Sequence, residues 1–273
     1  MKYIEYQIDI NNKESDFSDI LIAFLSELGF DSFSEENNVL FAYIPENIDD
    51  EKEIYAMLNN FSVTFSKNII EQKNWNEEWE KNYDPVVIEN IITIKAPFHK
   101  QNFTTKYIIE IEPKMSFGTG HHPTTELMCK LINETNFEKK SVLDIGCGTG
   151  ILAIFSAIKG AIDIIAIDIE EWAAENSAEN ALRNNVKMQT ILGDKNSIPN
   201  KQFDIIFANI NLNILKQDIP DYTKFLKKNG ILFLSGFFKT EIQQIKNVCK
   251  NNNLEFIQSI EKELWTACQF KKS

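Results

Sequence analysis

Three alternating glycines, Gly146, Gly148 and Gly150, follow an apolar run that ends in an acid, Asp144, within the segment SVLDIGCGTGIL at residues 141–152. Glycine removes the Cβ where a backbone must turn sharply and lets a ligand touch the main chain. A helix restarting at about 151 adds unpaired N–H groups at its first turn. Such a loop suits a nucleotide-like ligand. A dinucleotide loop, G-x-G-x-x-G, would need glycine at 151, where the chain has Ile151, so a pyrophosphate cradle is the weaker reading. Asp168 closes the next apolar stretch, 163–169, and is placed to accept hydrogen bonds from a ribose diol.

The elements that must hold these residues alternate along the chain. The segment 141–152 reads as strand, tight loop and helix start, and apolar spacing then predicts a helix at 152–158, a strand at 163–169, a helix at 171–184, and strands at 187–192 and 203–208. A helix at 212–227, a strand at 231–235 and a helix at 240–251 follow, which together make a doubly wound α/β sheet. The last two strand-like segments, 254–260 and 264–270, are joined by only Glu261, Lys262 and Glu263. A linker that short forbids a parallel crossover and predicts an antiparallel hairpin. The acid, the glycine loop, Asp168 and the antiparallel final strand resemble the S-adenosylmethionine site of Rossmann-like methyltransferases. In an open α/β sheet the ligand crosses the carboxyl ends of the strands. Asp194, after the third strand, can accept from an adenine amino group or simply cap its own turn. Asn209, after the fourth, can accept an N–H bond from an incoming amine and aim its lone pair without adding charge, or can merely close the strand–helix turn.

The chain has 273 residues, 43% of them hydrophobic, enough for one large and one small domain. No segment approaches the roughly 20 uncharged residues of a membrane span, and MKYIEYQIDI carries no cleavage-type signal, which predicts a cytoplasmic protein with no membrane partner. Cys129, Cys147, Cys249 and Cys268 form no C-x-x-C pair and read as reduced core residues; His121 and His122 have no acid or cysteine at ligand spacing, so no metal is expected. Charge is uneven. Residues 1–60 hold fourteen acids and three lysines, a net charge of −11 out of −12 for the whole chain. That field opposes nucleic acid and attracts a basic macromolecule, or else only aids solubility.

The same segment reads β-α-β-β-α-β, the split βαβ or ferredoxin-like order, with a helix near 49–60 carrying Asp50 and Glu53 at capping spacing. Residues 69–85 read as a charged helix with Trp75 and Trp79 on one face. The expected organisation is therefore a ferredoxin-like domain at 1–68, a linker helix at 69–88 and a Rossmann-like domain at 89–273. Between strands near 106–112 and the glycine loop, MSFGTGHHPTT at 115–125 is either a contact loop or a turn capped by Thr124 or Thr125.

Taken together, FGTGHHPTT at 117–125, DIGCGTGILAI at 144–154, AIDI at 166–169, ANI at 208–210 and NWNEEWEKNYDP at 74–85 resemble the PrmA family, the methyltransferases of large-subunit ribosomal protein eleven. The resemblance implies S-adenosylmethionine contacts at Thr125, Gly146, Asp168 and Asn209, to which the loop reading adds Gly148 and the strand-end reading Asp194. It also implies methylation of lysine ε-amines and the N-terminal α-amine of that basic ribosomal protein, and an N-terminal substrate-recognition domain. A monomer is expected. Two other classes bear weighing: an amino-methyltransferase of nucleic acid, which would want Asn-Pro-Pro and an aromatic where this chain has Asn209-Ile210-Asn211-Leu212, and a protein that binds the cofactor without transferring methyl groups.

Overall fold

The computed structural model describes residues 2–11, 13, 16–70 and 79–273. The chain divides into two compact units, Met1–Asn82 and Tyr83–Ser273.

In the first unit, β1 (Tyr3–Asp9), α1 (Phe17–Glu27), β2 (Ser32–Glu36), β3 (Val39–Pro45), α2 (Glu51–Asn60) and β4 (Thr64–Ile70) follow the βαββαβ order. The sheet runs β2-β3-β1-β4 with every neighbour antiparallel. Each helix therefore returns the chain across one intervening strand, which is the ferredoxin-like arrangement. Alternate residues of β1, namely Ile4, Tyr6 and Ile8, pack against Leu21 and Leu25 of α1 and Ile54 and Leu58 of α2. Asp50 caps α2 by accepting from the N–H groups of Lys52 and Glu53.

The expected linker helix at 69–88 needs correction at both ends. Ile69 and Ile70 still belong to β4, where Ile70 pairs with Tyr3, and Val86–Ile88 form a strand, β5, antiparallel to β6 (Ile92–Lys95). Pro85, which lacks an N–H, and β-branched Val86, Val87 and Ile88 favour extended backbone there. Trp79 lies in a short helical stretch, while Trp75 lies outside the described residues. The parallel strand β7 (Tyr107–Glu110) completes this three-stranded sheet.

After α3 (Pro123–Glu134), the second unit alternates β8 (Ser141–Ile145), α4 (Ile151–Ile158), β9 (Asp163–Asp168), α5 (Glu171–Arg183), β10 (Gln189–Leu192) and β11 (Phe203–Asn209). Next come α6 (Leu212–Phe225), β12 (Leu226–Phe238), α7 (Ile242–Asn251), β13 (Leu254–Lys262) and β14 (Trp265–Lys272). The seven-stranded sheet has the order β10-β9-β8-β11-β12-β14-β13. Strands β8 to β12 are parallel, and β14 is antiparallel to both β12 and β13, as the short hairpin linker requires. The helix expected to run to 227 stops earlier, at Phe225: Leu226 is extended and starts a strand longer than the expected 231–235. Asn229 at φ +61° and Gly230 locally break its pleat.

Strands buried on both faces feed two cores. Val142, Ile164, Ala166, Ile205 and Phe207 face Leu127 and Leu131 of α3 and Leu152 and Phe155 of α4. Their neighbours Leu143, Ile165, Ile167 and Ile206 face Leu215 and Ile219 of α6 and Ile245 of α7. The result is a three-layer sandwich whose parallel strands all end on one edge. All four cysteines are free and buried.

Candidate active site

A cavity of about 580 Å³ opens at the carboxyl ends of β8, β9, β10 and β11. The strand order reverses between β9-β8 and β8-β11, and ligands of open α/β sheets bind at such a point. Gly146 and Gly148 come from the turn after β8, Asp168 from the end of β9, Asp194 from the loop after β10 and Asn209 from the end of β11. Five of the six expected binding residues thus line one cavity. Thr125 does not; it lies fully buried in the first turn of α3 with its hydroxyl unpaired. That helix is capped by neither Thr124 nor Thr125, because the Nδ1 of His122 accepts from the Thr124 N–H.

The glycine loop is built as much for protein as for ligand. Gly148 has φ +54°, and a Cβ there would sit 2.2 Å from the Phe117 carbonyl oxygen, so loop 115–122 packs directly on it. The Gly148 N–H donates to Asp168 Oδ2 at 2.8 Å, and the Glu170 N–H donates to Oδ1 at 3.1 Å. These bonds fix the carboxylate and leave it with acceptor capacity for a diol. Asp194 caps the following 3₁₀ turn by accepting from the Asn196 N–H at 2.9 Å, and it lines the cavity as well. The turn-cap reading is thus seen directly, and the side chain remains within the cavity lining.

Two buried oxygens at this edge of the sheet lack a hydrogen-bond partner: Asn209 Oδ1 and Asp144 Oδ1. Asp144 is 1% exposed; its other oxygen accepts from the Ala153 N–H at 3.2 Å. Burial, with the nearby Asp168 charge, pushes its carboxyl up to about 7 despite that bond. An unpaired acceptor costs free energy in a folded protein, and Asn209, which lines the cavity, is placed to meet a ligand donor there.

Of the remaining lining, Gly193 and Ile210 follow strands that the sequence predicts, and most of the rest carries no such mark. Ile145, Ile167, Ile169, Trp172, Ala173, Ile210 and Ile214 give the cavity its apolar walls. Lys195 carries an ammonium held between Asp218 at 2.7 Å and Asp221 at 2.9 Å, which raises its pKa. Asp218 and Tyr222, on the inner face of α6, also line the site. Trp172 had a readable signal, a large aromatic in the first turn of the helix after Asp168. Asp218 and Tyr222 sit at helical i, i+4 spacing indistinguishable from core packing.

An apolar-walled cavity, a fixed carboxylate beside a glycine turn, and an unpaired amide oxygen together fit a ribonucleoside that bears a cationic chain. With the antiparallel β14 inside an otherwise parallel sheet, fold and site define a Rossmann-like, S-adenosylmethionine-dependent methyltransferase. The model of the ribosomal protein L11 methyltransferase (PrmA) family matches residues 13–273, and the chain belongs to that family. It is 41% identical over 278 residues to the ribosomal protein L11 methyltransferase of Bacteroides thetaiotaomicron and 39% identical to that of Phocaeicola vulgatus, with 99% of both chains covered in each case. Among solved structures it resembles a ribosomal protein L11 methylase from Lactobacillus delbrueckii subsp. bulgaricus, at TM-score 0.65 and 25% identity over 70% of this chain and 100% of that one.

Proposed function

We propose that the protein methylates lysine ε-amines and the N-terminal α-amine of ribosomal protein L11, acting as a cytoplasmic monomer without nucleic acid. The observation that carries this reading is the buried, unpartnered Oδ1 of Asn209, a residue that lines the cavity. Gly146 and Gly148 would hold the cofactor's amino-acid end, Asp168 the ribose hydroxyls, and Asp194 the adenine amino group. S-adenosylmethionine supplies a methyl group already activated by its sulfonium. Asn209 Oδ1 accepts an N–H from the neutral amine and turns the nitrogen lone pair toward the methyl carbon. The lone pair forms the N–C bond as the C–S bond breaks, and the new methylammonium releases its proton to solvent.

Asn209 orients but does not deprotonate, so the amine must lose its proton beforehand. Transfer therefore speeds up as pH rises toward the pKa of the amine, near 8 for an α-amine and ~10.4 for lysine. The net charge of −11 over residues 1–60 supports the first unit as the reader of a basic protein, because complementary fields raise association rates. The test is mass spectrometry of purified ribosomal protein L11 after incubation with the enzyme and isotopically labelled cofactor. Label on amine nitrogens, reduced roughly 100-fold in rate by Asn209→Ala while cofactor still binds, is the expected result. Unlabelled L11, or undiminished turnover by Asn209→Ala, would refute it.

A further inference from the structure

Helix α5 carries Asn176 and Asn180 on one face, and its C-cap residue Asn184 continues the same i, i+4 row. Asparagine is a poor helix former because its side chain competes for backbone hydrogen bonds. Asn176 and Asn180 are nonetheless entirely buried. Their amides are occupied by a neighbouring segment. Asn184 accepts from the Glu110 N–H at 2.9 Å and donates to the Glu110 carbonyl at 2.7 Å, as a paired strand would. Asn180 accepts from the Glu112 N–H at 2.9 Å and donates to the Thr149 carbonyl at 3.0 Å. Asn176 donates to the Glu112 carbonyl at 3.4 Å.

Thr149 lies between Gly148 and Gly150 and is fully buried. Its N–H donates to the Phe117 carbonyl at 2.8 Å and its hydroxyl to the Gly118 carbonyl at 2.7 Å. Residues 112–118 are thus closed into a ring: Glu112 to Asn180, Asn180 to Thr149, Thr149 back to Phe117 and Gly118. Inside that ring Met115 is 86% exposed, whereas Phe117 lines the cavity and is, among the described residues, the sole lining residue that precedes β8.

We propose that Thr149 and Asn180 are positioning residues for methyl transfer, which hold Phe117 against the cavity by tying both ends of its loop to the glycine turn. The inference rests on the cofactor reading of this cavity. Neither side chain lines the cavity, so both act through Phe117. Loss of a tie leaves the glycine turn able to bind the cofactor but lets the wall beside the reacting amine move, and small misplacements of reacting groups are costly in rate.

The test uses the full-length chain as Thr149→Val, Thr149→Ser and Asn180→Leu. Valine keeps the shape of threonine and removes the donor to Gly118; serine keeps the donor. In cofactor-free protein, hydrogen exchange across 113–120 should rise about tenfold in Thr149→Val, as expected for one lost hydrogen bond, with other segments unchanged, and should return to native in Thr149→Ser. With L11 as substrate, kcat of Thr149→Val should fall about tenfold, while calorimetry finds cofactor affinity within about threefold of native. Asn180→Leu should show the larger exchange increase, since two ties are lost; if it does not fold, the Thr149 pair decides. Native exchange and native kcat in Thr149→Val overturn the inference, as does an equal loss in Thr149→Ser. If the native enzyme binds cofactor but leaves L11 unmethylated, the functional reading fails, and exchange still judges the ties.

Discussion

The two units handle buried polar groups in opposite ways. In the first, the hydroxyl of the fully buried Tyr6 donates to Asp49 Oδ1 at 2.7 Å, and Lys67 reaches the same carboxylate at 2.5 Å and also pairs with Glu51. Among the described residues, no buried side-chain oxygen or nitrogen of that unit lacks a partner. In the second, Ser116, Thr125, Asp144 and Asn209 each keep one unpaired buried oxygen, and two of the four lie at the cofactor edge of the sheet. A unit that takes a small molecule into its interior must carry unmet hydrogen-bonding capacity until the ligand arrives, and it does so at a cost to its own stability.

The contrast is most open to attack at Asp144. Its carboxyl titrates near 7 in the folded chain against 3.8 when unperturbed. The folded state therefore holds this proton more tightly, so the contribution to stability is fully present below about pH 4, falls as pH rises toward about 7, and is constant beyond. Across that window the loss is on the order of 4 kcal/mol. Asp144→Asn should flatten that slope and leave the second unit more stable than native above pH 7. Urea titrations between pH 4.5 and 8 measure this, and parallel profiles for native and variant would show that the carboxyl is not strained.

A smaller effect is expected at Asp168. Replacing it with alanine removes charge-assisted hydrogen bonds worth roughly 1.5–3 kcal/mol, or about 10- to 100-fold in cofactor affinity. Calorimetry on the folded variant reads this directly; unchanged affinity would detach Asp168 from the ribose. The smallest effect belongs to the satisfied unit. Tyr6→Phe deletes one donor to a carboxylate that keeps Lys67, costing about 1.5 kcal/mol in the first unit's unfolding transition. Cofactor affinity should not change. Weaker cofactor binding in Tyr6→Phe would mean that the two units do not divide the labour as their buried polar groups suggest.

Much of this was legible before any coordinates. Gly146, Gly148, Asp168, Asp194 and Asn209 all sit at or just beyond the carboxyl ends of strands, and alternating elements force such positions onto one edge. Glu261, Lys262 and Glu263 were too few for a crossover, which settled the direction of β14. The misses have physical causes. Leu226 looked helical because its apolar spacing continues that of α6, but β12 claims it through parallel pairing with Phe203. Ile69 looked like the start of a charged helix, yet pairing with Ile4 holds it in the sheet. Thr125 neighbours a loop that touches the cavity and lies buried in the first turn of α3, outside the cavity lining. Asp218, Tyr222 and the ties of Asn180 depend on which helix faces meet across the fold, and spacing within one helix carries no such information.

The placement of β14 bears on how the chain is made. Its buried residues, Thr266 to Phe270, lie between β12 and β13, both of which precede it in synthesis. Without β14, β12 keeps one unpaired edge and β13 has no strand partner. Unpaired edges of that kind invite association with other chains. The catalytic sheet can close only after translation has passed this hairpin, whereas the ferredoxin-like unit has every strand it needs by Ile70 and is free to fold while synthesis is still under way.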